Sequence, residues 1–185
     1  PGCMNAKNAA MFAVDPECAP PAPGEPIFIT GQCVDPRFNG AECTAPEWRT
    51  DPVDHHFVAC EFPGTDARFT MTFPPQDKYE GRFFMNTHPL YTDPPNVPAN
   101  DIAFGVASFD AASGGYRINA AAAKHAVAVA RELYGDHDPH GYLYGGSGGA
   151  YQTICSAEHT AGVWDGYVPF VMGPPHAIPS MFTVR

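Results

Sequence analysis

The chain has 185 residues, 21 of them proline and 18 glycine, with 16% charged side chains and a formal net charge of −10. Proline at about twice its usual share of ~5% breaks long helical registers, which excludes a coiled coil and a helical bundle. With 10 basic residues against 20 acidic ones there is no basic footprint for nucleic acid or an anionic membrane surface, and no apolar run reaches the ~20 residues of a membrane helix.

Residues 1–65 alternate short apolar pieces with Pro, Gly, Asp and Cys. Strands are expected at 27–30 and 56–61, and Pro16, Pro26, Pro36, Pro46 and Pro52 interrupt every helical window. Five of the six cysteines (Cys3, Cys18, Cys33, Cys43, Cys60) fall here, and Cys155 stands apart. An even number in a loop-rich segment predicts disulfides and an oxidising compartment, although six cysteines admit about fifteen pairings. The alternative is six reduced cysteines in the cytosol. A start at Pro1 without Met or an apolar leader fits a mature secreted product. Asp54-His55-His56 offers metal-binding side chains, but neighbours on a strand point to opposite faces, so no metal is expected there.

Strand patterns follow at 69–73, 82–86 and 102–109, separated by a proline-rich loop over 91–100. From 118 to 134 alanines recur at three-to-four spacing, with Ala122, Ala126, Ala130 and Leu133 on one stripe, and Gly135 ends the helix. Asp136-His137-Asp138-Pro139-His140 reads as a solvated turn, with a structural calcium as the minority reading and no other cofactor expected. A short strand at 141–144, a helix from 150 to 158 and a strand at 166–172 complete a strand-helix-strand-helix-strand order. That order predicts repeated βαβ units, a parallel sheet and the α/β class.

The strongest chemical signal is Gly145-Gly146-Ser147-Gly148-Gly149, a G-x-S-x-G string between a short apolar strand and a helix. That context is a nucleophile elbow: a sharp turn exposes the serine, and Cβ atoms at Gly145 and Gly149 would clash there. The helix N-terminus turns its unpaired amides toward the serine, which favours a developing oxyanion. A phosphate-binding loop would need Lys-Ser/Thr after the glycines, where Ala150-Tyr151 stands.

Tyr142-Leu143-Tyr144-Gly145-Gly146-Ser147-Gly148-Gly149-Ala150-Tyr151 and Gly162-Val163-Trp164-Asp165-Gly166-Tyr167-Val168 resemble the α/β-hydrolase esterases, loosely the tannase and feruloyl-esterase group. Gly81-Arg82-Phe83-Phe84 is similar to the strand entering their oxyanion loop, and Asp165-Gly166 falls where that group has Asp-Gly before its next strand. The resemblance spans residues 78–172. Gly146 stands where that group carries a bridged Cys. The fold it implies is an α/β-hydrolase-type parallel sheet, with residues 1–65 as a disulfide-stapled layer of the same domain. Residues 66–185 would be the N-terminal portion of the catalytic domain.

This fold orders its triad Ser, then Asp or Glu, then His. After Ser147 come Glu158, His159, Asp165 and His176. Glu158-His159 is expected at the far end of the helix, Asp165 at the wrong end of the sheet, and His176 one strand too early. Acid and base are therefore expected beyond Arg185, from a continuation or a second chain. The expected oxyanion donors are the amides of Gly148 and Leu90, with Thr87 as rival, and His88 is read as a packing residue. Tyr144, Tyr151, Phe170 and Phe182 are expected around an apolar pocket. The expected function is a secreted serine esterase acting on aromatic, phenolic or polyester-like substrates. The alternatives are a peptidase or amidase of the same fold, or a non-catalytic binding chain that keeps the elbow.

Overall fold

The computed structural model describes residues 16–89, 99–110 and 115–172. Among them the strands are β1 (Ile29–Thr30), β2 (Glu42–Cys43), β3 (Glu47–Arg49), β4 (His55–Glu61), β5 (Arg68–Phe73), β6 (Arg82–Asn86), β7 (Ala103–Phe109), β8 (His140–Gly146), β9 (Thr160–Ala161) and β10 (Gly166–Phe170). The helices are α1 (Tyr116–Tyr134) and α2 (Gly148–His159). In β7 only Phe109 is not fully buried, and such a near-continuous apolar run marks an interior strand. In α1 the stripe Ala122, Ala126, Ala130 is buried, joined by Ile118 and Val129. Gly135, at φ 93°, closes α1 by donating its N–H to the Arg131 carbonyl at 3.0 Å.

Eight strands form one mixed sheet in the order β10-β8-β6-β7-β5-β4-β2, with β3 also pairing on β4. From β10 to β7 the pairings are parallel; β7–β5, β5–β4 and the pairings of β2 and β3 on β4 are antiparallel. This corrects the expected α/β class with its α/β-hydrolase-type parallel sheet: the fold is β-rich, carries two described helices, and half its main sheet is antiparallel. Connection length supplies the reason. A parallel neighbour needs a crossover of a dozen residues or more, whereas a short link returns the chain antiparallel. Residues 62–67 are such a link, so β4 and β5 pair as a hairpin. The strand-helix alternation is confined to residues 103–170, and parallel pairing in the main sheet to β10, β8, β6 and β7.

The N-terminal part covers α1. Cys18–Cys33 and Cys43–Cys60 are disulfides, and the second joins partners that face each other across β2 and β4. Cys155 is unpaired among the described residues, and Cys3 lies outside them. Asp35, 2% exposed, accepts a two-pronged ion pair from Arg117 of α1 at 2.5 and 2.6 Å. Tyr116 donates to the Ile27 carbonyl at 2.8 Å. Phe38, Phe62 and Phe69 pack in succession between this part and the sheet. β4 belongs to the main sheet, so the sheet itself continues across residue 65. No described helix is long and apolar enough to cross a membrane.

Candidate active site

Strand β8 ends at Gly146 and α2 begins at Gly148, so Ser147 alone turns the chain from strand to helix. It does so exposed, at φ 53° and ψ −117°. A non-glycine residue held there costs about 1–3 kcal/mol and persists only where its surroundings over-determine it. Here they do. The Ser147 N–H donates to the Phe170 carbonyl at 3.2 Å, and its own carbonyl accepts from Ala150 at 3.1 Å.

The glycines admit a neighbouring loop. The Thr87 carbonyl oxygen, just past β6, lies 2.7 Å from where a Cβ on Gly145 would stand and 2.1 Å from one on Gly149. A Gly145 Cβ would also meet the Gly149 backbone at 2.6 Å. Gly148 faces the next two loop residues, since its Cβ position is 2.6 Å from Pro89 Cγ and 3.9 Å from His88 Nε2. The clash predicted from sequence is present, and its main partner is the backbone after β6.

Among the described residues the Gly148 amide, first of α2, meets no acceptor and faces the turn at the positive end of the helix. Leu90 lies outside the described residues. Thr87 is corrected as the rival donor: its N–H is committed to the Tyr144 carbonyl at 3.1 Å. His88, read as packing, is the histidine that the fold brings next to Gly148.

Phe170 places its ring over Gly146, 2.7 Å from the Cβ position, and with Val171, Met172 and Tyr151 it exposes an apolar surface around the serine turn. Val171 itself has φ 48°. Tyr144 sits half-buried on β8 between β6 and β10, and burial pushes its phenol up, so it is neutral at ordinary pH. Phe182 and His176 fall outside the described residues.

Asp165 and His159 lie away from Ser147. Asp165 accepts from the Gly141 N–H at 2.8 Å and stands 3.7 Å from His140, at the start of β8 and so at the opposite end from Ser147. His159 ends α2, with Nδ1 donating to the Cys155 carbonyl at 2.9 Å.

Beneath the 87–89 loop runs a buried polar chain that sequence reading misses. Ser108 on β7, Asn119 on α1, Thr87 and Gln152 on α2 are hydrogen-bonded in that order. A polar residue at a buried position of an alanine helix was the one available signal, at Asn119.

Several side chains of the metal-like clusters have other partners. His55 is buried, with Nδ1 donating to the Val53 carbonyl at 2.8 Å, while His56 meets the Trp48 ring edge-on at 4.8 Å. In the 136–140 turn, Asp138 pairs with Arg131, and His137 bonds the Gly135 carbonyl at 2.7 Å and the Tyr79 hydroxyl at 2.8 Å. His125 Nε2 lies 3.4 Å from Cys43 Sγ, but Cys43 and Cys60 are bonded to each other and present no thiolate ligand. No protein-family model matches the chain, and no curated protein matches it.

Proposed function

We propose that the protein is a serine hydrolase of carboxylic esters with Ser147 as its nucleophile. One observation carries the reading: an exposed serine at φ 53° turns a parallel strand into a helix, between glycines whose missing side chains let a loop lie against the turn. Strain of this kind is a signature of functional turns, because folding alone gains nothing from it.

The chemistry follows from the groups at the turn. Ser147 Oγ attacks the ester carbonyl carbon while a base takes the hydroxyl proton, and the carbonyl π pair moves onto oxygen. The Gly148 amide and the α2 N-terminus stabilise that oxyanion. Collapse expels the alcohol with a proton, and water then attacks the acyl-serine carbon to release acid and free Ser147. The reading requires a base to take that proton and an acid to orient the base, and neither is assigned among the described residues. The apolar surface of Tyr151, Phe170, Val171 and Met172, with Tyr144 behind it, suits aromatic, phenolic or polyester-like acyl groups. The two disulfides fit an oxidising environment, and secretion is the location this reading takes.

The test is covalent labelling of the intact, full-length protein with a fluorophosphonate, followed by peptide mass mapping. Label on Ser147 is expected. No label, or label confined to other residues, refutes the nucleophile.

A further inference from the structure

The polar chain under the 87–89 loop has a direction. The Ser108 hydroxyl donates to Asn119 Oδ1 at 2.7 Å, and Asn119 Nδ2 donates to Thr87 Oγ1 at 3.0 Å. The Thr87 hydroxyl then donates to Gln152 Oε1. Ser108, Asn119 and Thr87 are buried, so each proton must find an acceptor inside the chain. A hydroxyl has a single proton. In this arrangement Thr87 Oγ1 accepts from Asn119 and passes its own proton to Gln152, whose amide oxygen faces Thr87. The Gln152 NH2, with two donors, is thereby turned away from the chain.

Gln152 is half-buried and lines a cavity of about 40 Å³ with His88, Pro89, Asp110 and Asn119. This cavity lies at the carboxyl ends of the parallel strands β6 and β7. Pro89 and His88 also cover Gly148, so the cavity adjoins the serine turn. The cavity is large enough to admit a small oxygen-bearing group.

We propose that Gln152 is a substrate-recognition residue whose Nε2 donates a hydrogen bond to an acceptor oxygen of the substrate, separate from the scissile carbonyl. The substrate class is thereby narrowed to esters with an ether, hydroxyl or carbonyl oxygen close to the scissile bond. The assignment rests on Ser147 being the nucleophile. The pre-set relay leaves the donor little freedom to lose on binding, so discrimination is expected at the level of a good neutral hydrogen bond.

The test uses two fluorophosphonates on the full-length protein, one with a plain alkyl chain and one with an ether oxygen in the same chain. Wild type is expected to label at Ser147 about three- to tenfold faster with the ether probe. Gln152→Glu keeps an oxygen facing Thr87 and removes both N–H donors at neutral pH, so the two probes should label it at one rate. The side-chain amide resonance of Gln152 in wild type should shift with the ether adduct and stay with the alkyl adduct, a readout that does not need the variant to fold. Equal rates in wild type, a preference that survives in Gln152→Glu, or an unmoved amide resonance overturns Gln152 while Ser147 labelling stands. Failure of both probes to reach Ser147 overturns the nucleophile and this assignment together.

Discussion

Replacing Gly149 by alanine separates two forces of opposite sign. Gly149 lies in the first turn of α2, where alanine gains at most ~1 kcal/mol of helix propensity over glycine. The new Cβ would stand 2.1 Å from the Thr87 carbonyl oxygen and 3.1 Å from its carbon, where real Cβ atoms keep at least 3.0 Å. Both sides of the clash are main chain, and Thr87 is held by its bond to the Tyr144 carbonyl and by Asn119. No side chain can rotate away. Overpacking of this kind costs about 1–3 kcal/mol, with the upper end expected where backbone must move. The net is a loss of about 2 kcal/mol, or a fall in Tm of roughly 4–8 °C for a domain of this size. Thermal melting, with urea unfolding to check that the slope m is unchanged, measures it. A Tm equal to or above wild type would mean that the 87–89 loop does not rest on the turn.

Ser147→Gly removes the strain at φ 53° and, after the extra entropy of an unfolded glycine, should stabilise by about 1 kcal/mol in urea titration while abolishing phosphonate labelling. Arg117→Ala leaves the buried Asp35 carboxylate without its guanidinium partner and should cost about 3–5 kcal/mol by the same titration. Burial pushes His125 down to about 4 from an ordinary 6.5, so the unfolded chain binds its proton first. The resulting loss is absent above about pH 6.5, grows as pH falls toward 4, and should reach about 2–3 kcal/mol near pH 4.5. His125→Leu should flatten that part of the pH–stability curve; an unchanged curve would refute the assignment to His125.

The parts of the fold written as local pattern were legible. Residues 82–86 predict β6 at its observed bounds, and the alanine stripe predicts α1 to within two residues at its start. The strand-glycine-serine-helix string predicts the turn at Ser147. Strand partnership was not legible, because a strand's own residues do not say which neighbour it takes or in which direction. Phe69 to Phe73 would read alike in either sense, and only the short link over 62–67 points to a hairpin. Strand β3 was missed because its three residues, Glu47–Arg49, are too few to establish a period. Gln152 lies far in sequence from Thr87, so no window of sequence holds the pair. Asn119 was missed too, although a polar residue on the buried face of an alanine-rich helix is a signal that a buried partner is needed.

The contact between Thr87 and the serine turn also limits how this protein can vary. A clash between two side chains has an easy remedy, since one can shrink when the other grows. The Thr87 atom that faces Gly145 and Gly149 is a carbonyl oxygen, which every residue type carries. No substitution at position 87 can therefore rescue a side chain at 145 or 149. Second-site suppressors of such mutations should map to changes in the length or path of the connection between β6 and β7, rather than to changes of residue type at 87.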